Sequence, residues 1–375
     1  MTKADTAPEQ SPLLRPNILE AEGIVKQFGS SRLFGRSDPV RAVDGVSLQV
    51  RKGERLAIVG ESGCGKSTLG RCLLRLIEAD AGSVRFDGVD LMSLDDKAMG
   101  QTRKALQIVF QDPYASLNPR HTVATLIGEP IRFHGLAKGR DVADHVARML
   151  GLVGLPEAYA SRYPHEFSGG QRQRIAIARA LASGPRLLVG DEPVSALDVS
   201  IQAQIINLLE DLGSELGFTL VLIAHNLAVI RHVSERVAVM YLGEIVEFAP
   251  ADALFETPLH PYTQALIASA PIADPAARRQ HALLDGDPPS PSRPPSGCRF
   301  HTRCAHARAR CSSERPVSET VEGGRSVSCH FWREIAAAGA SAPLAFTPSI
   351  QRQQRIAVFA DALRQSSSQG GSITS

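Results

Sequence analysis

Apolar residues in this chain follow two spacings. Short, partly β-branched runs occur at Arg55-Leu56-Ala57-Ile58-Val59, Leu106 to Phe110, Arg186 to Gly190 and Thr219 to Ala224. Runs of that length, bounded by turn residues, predict buried strands. Between them the spacing becomes helical. Leu69, Cys72, Leu73 and Leu76 share one face, as do Val142, Val146, Met149 and Leu150, then Ile175, Ala178 and Leu181, and Ile201 to Leu216 continues the pattern. Strands alternating with helices predict an α/β core with a mainly parallel sheet. Ile18 to Phe28, Ser47 to Val50 with its Lys52-Gly53 turn, and Gly82 to Gly88 predict an antiparallel β element early in the chain. Val237 to Tyr241 and Ile245 to Phe248, joined at Leu242-Gly243, predict a hairpin. Val123 to Tyr163 has few β-branched runs and predicts a helical insert. Pro113 stops the extended run that ends at Gln111-Asp112.

Bulk numbers narrow the class. The chain has 375 residues, enough for two domains or for one large domain with an appendage. Its 41 Lys and Arg against 39 Asp and Glu leave a net charge of +2, so charge gives no sign of nucleic acid as a partner. No apolar run approaches the ~18 residues of a membrane span. The polar, Pro-containing stretch from Met1 to Pro16 lacks the apolar core of a signal peptide, which predicts a protein that stays in the cytosol. Beyond Pro250, prolines and small residues crowd Asp285 to Gly297 as a linker-like segment. After Glu334 the chain is rich in Ala, Ser, Gly and Gln, and its end is expected to be mobile, with Ile356 to Leu363 as a short amphipathic helix.

The first candidate chemistry lies at Gly60-Glu61-Ser62-Gly63-Cys64-Gly65-Lys66-Ser67-Thr68, which reads G-x-x-x-x-G-K-[ST]. Its flanks, an apolar strand before and a helical pattern after, are the context this phosphate-binding loop needs. Glycines let successive N–H groups turn inward, and the following helix N-terminus adds partial positive charge. Lys66 then reaches the β/γ-phosphates and the Ser67 hydroxyl holds Mg²⁺. Asp191 and Glu192 end another apolar run, which suits Asp191 to Mg²⁺ and Glu192 to the attacking water. Gln111 and His225 also end strands. Each alone reads as readily as a structural residue. Together they would share the edge of a parallel sheet at which ligands bind.

At this point the chain resembles an ABC-transporter ATPase. Gly60 to Thr68 matches Walker A, Gln111 the Q-loop, Phe167-Ser168-Gly169-Gly170-Gln171 the family signature, Leu187 to Glu192 Walker B, Ser195-Ala196-Leu197-Asp198 the D-loop, and His225 the switch histidine. Phe28 stands where the family places an aromatic against adenine. The resemblance implies an α/β P-loop NTPase core of the ABC type, with an antiparallel β subdomain, a helical subdomain and a small Cys-containing C-terminal appendage. It implies Glu192, His225 and Gln111 as catalytic residues, with ATP held in cis by Phe28 and the P-loop. Ser168, Gly169, Gly170 and Gln171 would cap the ATP of a second subunit, beside the D-loop Asp198, so one P-loop and one signature imply a dimer.

Leu259-His260-Pro261-Tyr262-Thr263, the segment Pro288 to Gly297, and Gly297-Cys298-Arg299-Phe300-His301-Thr302-Arg303-Cys304 resemble the oligopeptide/dipeptide importer ATPases, whose relatives also import nickel and other small solutes. The implied partners are a second ABC ATPase subunit, usually a paralogue, two transmembrane permease subunits meeting the helical insert near Gln111 to Arg120, and, indirectly, an extracytoplasmic solute-binding protein. The implied location is peripheral, on the cytoplasmic face of the inner membrane. Boundaries are expected at 1–16 (disordered), 17–255 (nucleotide-binding domain, helical part about 112–183), 256–335 (C-terminal region) and 336–375 (flexible tail). Cys298, Cys304, Cys311 and Cys329 lack the paired C-x₂-C spacing of common zinc modules. The resemblance implies a [4Fe–4S] cluster there, and zinc or free buried thiols stay open. A non-transport ABC protein acting as an assembly or mechanical factor is the alternative. It would often carry two nucleotide domains or a long coiled-coil insert, and neither appears. A P-loop kinase or GTPase leaves Ser168 to Gln171 and His225 unexplained.

Overall fold

In the computed structural model, the described residues are 15–29, 39–225, 227–269 and 289–337, all within the compact unit Met1–Ala340. The expected tail helix at Ile356 to Leu363 lies outside them.

The chain opens with β1 (Asn17–Phe28) and β2 (Val40–Arg51), an antiparallel pair. Next come β3 (Arg55–Val59), the glycine loop and α1 (Lys66–Leu73). β4 (Ala81–Phe86) and β5 (Val89–Asp90) complete a four-stranded antiparallel sheet in the order β2-β1-β4-β5. After α2 (Asp96–Thr102) and β6 (Leu106–Val109) the chain turns helical, with α3 (Pro113–Ser116), α4 (Val123–Phe133), α5 (Asp141–Leu152) and α6 (Gly169–Leu181). Then follow β7 (Leu187–Asp191), α7 (Val199–Leu216), β8 (Thr219–Ala224), α8 (Leu227–Val233), β9 (Arg236–Tyr241), β10 (Glu244–Pro250), α9 (Ala251–Glu256) and α10 (Pro261–Ala268). The C-terminal region adds α11 (Ala309–Ser313), β11 (Glu319–Val321), β12 (Arg325–Val327) and α12 (Trp332–Ala337).

The second sheet runs β11-β12-β10-β9-β3-β8-β7-β6. Its β9-β3-β8-β7-β6 half is parallel, and the β10, β12 and β11 extension is antiparallel. Register brings the parallel strands to one edge, with Val59 opposite Ala224 and Val109 opposite Gly190. One hydrophobic core joins the two sheets through α1. Leu19 and Ile24 of β1, Val43 and Val46 of β2, Leu69 and Leu73 of α1, and Val189 and Ile223 of the parallel strands are all buried in it. The loop that leaves β3 is therefore anchored from both sides.

Three local readings change. The face through Leu76 ends early, because α1 closes at Leu73, Arg75 takes φ 48° and Leu76 is exposed. Pro113 begins α3 as well as ending an extended run: Asp112 accepts from the Tyr114 N–H at 2.7 Å, and a proline at the first helical position needs no N–H. β2 starts at Val40, well before Ser47, because β1 offers it a partner along its whole length.

Candidate nucleotide-binding site

The loop from Gly60 to Thr68 is held in shape by backbone contacts that only glycine tolerates. Gly60 has φ 154° and Gly65 φ 107°. A Cβ at Gly60 would lie 2.1 Å from the Met240 carbonyl oxygen, and one at Gly65 only 1.9 Å from that of Ala42. Gly65 is the N-cap of α1 and supplies no side-chain cap, so the first helical N–H groups face the loop's hollow without a side-chain acceptor. That is an anion-binding geometry. The Lys66 side chain is buried, and its Nζ donates to the Gly60 and Glu61 carbonyls, each at 2.9 Å. It also lies 3.9 Å from Glu192 Oε1. Cys64 is buried under the loop, and burial raises its thiol pKa.

The ends of the neighbouring strands bring the acidic residues to this hollow. Asp191 ends β7 and is 2% exposed. Its Oδ2 accepts from Arg71 Nη2 at 3.4 Å, while Oδ1 is buried without a partner. An orphaned carboxylate oxygen beside a phosphate loop fits a magnesium ligand, and Ser67 stands at the start of α1 on the same edge. Glu192 takes φ 48°, a conformation uncommon for a side-chain-bearing residue. Its N–H donates to the Ile223 carbonyl at 3.0 Å, and its Oε2 lies 3.4 Å from Nδ1 of exposed His225. Gln111 follows β6 and is exposed at the same edge.

Other expected residues belong to other elements. Phe28 ends β1 and is 43% exposed, with Lys26 Nζ 5.7 Å from its ring centroid. Ser168 caps α6 in a reciprocal box: its Oγ accepts from the Gln171 N–H at 3.4 Å, and Gln171 Oε1 accepts from the Ser168 N–H at 3.1 Å. Nothing within the described residues brings Ser168, Gly169, Gly170 or Gln171 into contact with the chain's own P-loop. Asp198 caps α7 through its backbone, with the Ile201 and Gln202 N–H groups on its carbonyl. The segment after Gln111 is tied to α6, since Arg179 Nη1 donates to the Ser116 carbonyl at 2.6 Å and Arg172 stacks 3.9 Å over Tyr114.

Cys298, Cys304, Cys311 and Cys329 line one small cavity with His301, His306 and His330. None forms a disulfide. Burial pushes Cys298, Cys304 and Cys329 up to about 11. Among the described residues, no group of three or more His, Cys, Asp or Glu side chains is drawn together closely enough to hold a metal ion. The donor types suit a metal; the spacing here does not close around one.

Sequence reasoning missed what the C-terminal region does beside the P-loop. Arg303 pairs with Glu61, Tyr262 accepts from the Glu61 N–H, and Arg299 binds Asp44, Glu244 and the Leu242 carbonyl. The one available signal was that charged Arg299 and Arg303 flank Phe300 in an otherwise cysteine-rich stretch.

The family described as "ABC transporter" matches residues 43–195, and "Oligopeptide/dipeptide transporter, C-terminal region" matches residues 246–311. A putative oligopeptide transport ATP-binding protein of Bacillus subtilis, YkfD, is 51% identical over 84% of this chain and 96% of its own length. The oligopeptide transport ATP-binding protein OppF of Salmonella typhimurium is 52% identical over 77% of this chain and 87% of its own. Among solved structures, the dimeric post-hydrolysis state of the ATP-binding cassette MJ0796 bound to ADP and Pi matches with a TM-score of 0.56 and 30% identity, covering 62% of this chain and 98% of that one.

Proposed function

The chain belongs to the ABC-transporter ATP-binding proteins of the oligopeptide transport type, and from that premise we propose that it hydrolyses ATP to energise peptide import through a membrane transporter. The observation that carries the reading is the convergence of Lys66, Asp191 and Glu192 on one sheet edge beside a rigid glycine loop. Lys66 exchanges its loop carbonyls for the β/γ-phosphates, and the α1 N-terminus receives the same charge. Ser67, Asp191 and Gln111 would hold Mg²⁺, which would neutralise charge on the phosphate oxygens. Glu192 orients the attacking water and accepts its proton. His225 holds the far side of the Glu192 carboxylate and senses the γ-phosphate. Phe28 offers its exposed ring to the base.

The signature Ser168-Gly169-Gly170-Gln171 and Asp198 act on the ATP of a second ATPase subunit, which we take to be a paralogue. The dimeric cassette among the structural relatives supports that arrangement. Two permease subunits bear on the segment from Gln111 to Arg120, where Tyr114 is 62% exposed, and a solute-binding protein delivers cargo on the far side. No helix among the described residues is long and apolar enough to cross a membrane; the likeness to oligopeptide transport ATP-binding proteins supports a peripheral subunit on the cytoplasmic face. The nucleotide-binding part spans 17–255 and the C-terminal region 256–335. Affinity purification of the chain from detergent-solubilised membranes tests the assembly. Two multi-spanning proteins and a second ATPase are expected with it, and their absence, with peptide uptake unchanged in cells lacking the chain, would refute import.

The four-cysteine cavity is proposed to hold a [4Fe–4S] cluster. Four thiolates are a complete ligand set for one, and the proposal requires these cysteines, which share one cavity, to draw closer than they stand here. Such a cluster would cross-link the C-terminal region. Iron and acid-labile sulfide assayed in anaerobically purified protein decide it: both are expected, zinc alone would replace the cluster by a zinc site, and no metal would leave free thiols.

A further inference from the structure

Two side chains of the C-terminal region bind Glu61, the second residue of the P-loop. Arg303 ends the short turn His301–Arg303 and lays its guanidinium along the Glu61 carboxylate, with Nη1 2.8 Å from Oε2 and Nη2 3.0 Å from Oε1. This is a bidentate, charge-assisted pair. Tyr262 of α10 accepts a hydrogen bond from the Glu61 backbone N–H at 2.8 Å. Both side chains are fixed by packing. Tyr262 is fully buried, its ring 4.6 Å from Tyr241 and 5.4 Å from Phe300. The Arg303 side chain is 5% exposed. Phe300 lines the cysteine cavity, and Arg303 is the neighbour of Cys304 in sequence.

A carboxylate in a triphosphate-binding loop is an electrostatic liability. It opposes the field of Lys66 and repels the incoming anion, and a largely desolvated setting screens that repulsion poorly. A bidentate arginine removes most of the repulsion and fixes the carboxylate's direction. The tyrosine acts on the backbone at the same residue, next to the carbonyls of Gly60 and Glu61 that Lys66 engages. We propose that Arg303 and Tyr262 are positioning residues of the ATP site, pairing the Glu61 charge and fixing the entrance of the P-loop, so that the C-terminal region sets nucleotide affinity. This inference rests on the reading of the loop as an ATP site.

The test measures ATP affinity by titration calorimetry on the purified full chain, and KM and kcat for hydrolysis on the chain assembled with its partner ATPase. R303A is expected to raise Kd and KM about tenfold, equivalent to about 1.4 kcal/mol of binding, with kcat within about twofold of wild type, since Arg303 acts on Glu61 and the Tyr241 hydroxyl. R303K recovers part of the loss, because it restores charge without the fork. The double variant R303A/E61Q recovers most of the affinity lost in R303A, because the uncompensated carboxylate is gone; a purely structural role would leave it no tighter than R303A. Y262F weakens binding in the same direction without changing charge. Should R303A not melt cooperatively, R303Q takes its place with the same expectations. A Kd for R303A within twofold of wild type, or no recovery in R303A/E61Q, overturns the inference. Failure of the wild type itself to bind ATP overturns the underlying site reading instead.

Discussion

Individual residues in this protein are constrained by what stands a few ångströms away. Gly65 shows this most sharply. With φ 107° and the Ala42 carbonyl 1.9 Å from any Cβ, Gly65→Ala is expected to cost about 1–3 kcal/mol in backbone strain and to abolish ATP binding. Denaturant melts and calorimetric titration check the two parts. His260 is constrained by burial. It is wholly enclosed, its Nδ1 accepts from the Tyr262 N–H at 3.0 Å, and burial lowers its pKa to about 3. The unfolded chain takes up that proton near pH 6.5, so the native state binds fewer protons below that pH and stability falls as pH drops, at a limiting slope of about 1.4 kcal/mol per unit. His260→Asn is expected to flatten the loss between pH 7 and pH 5 in thermal melts. The motif glycines and Lys66 were legible in sequence because their chemistry is local to the loop. The Asp191 orphan oxygen and the positive φ of Glu192 were not, since both depend on neighbouring strands.

Elements repeat the same division. β3, the loop and α1 were readable because strand, glycine loop and helix follow one another directly. α6 was readable from its spacing, and its capping box lies within the signature. Removing the Ser168 hydroxyl (Ser168→Ala) is expected to cost about 1 kcal/mol through loss of the cap. It should also lower hydrolysis while leaving ATP binding to the isolated subunit unchanged, because on the proposed reading Ser168 acts on a partner's nucleotide. Parallel titration and turnover assays separate the two effects. β11 and β12 escaped sequence reading for a physical reason. Strands of three residues are too short to display a period, and their stability comes from pairing, β11 with β12 and β12 with β10. The C-terminal region thus continues the antiparallel extension of the central sheet, beyond what its cysteines and prolines suggested.

At the scale of the whole molecule, the chain folds its last described region back onto its first catalytic loop. Arg303 and Glu61 are 242 residues apart in sequence and 2.8 Å apart in space, a pairing no local pattern encodes. On the proposed reading one chain holds half of each ATP site: the P-loop with Asp191 and Glu192 on one edge, and the signature, with Ser168 exposed, on another element. ATP-driven closure of a pair then requires higher affinity for nucleotide in the closed state. The measurement that bears most directly on this account is Glu192→Gln in the chain co-purified with its partner ATPase, with nucleotide binding, oligomeric mass and hydrolysis followed together. ATP binding is expected to persist, the variant is expected to accumulate as an ATP-bound dimer, and turnover is expected to fall by about 10²–10⁴, the range for loss of a positioned base. Turnover within twofold of wild type would contradict the account.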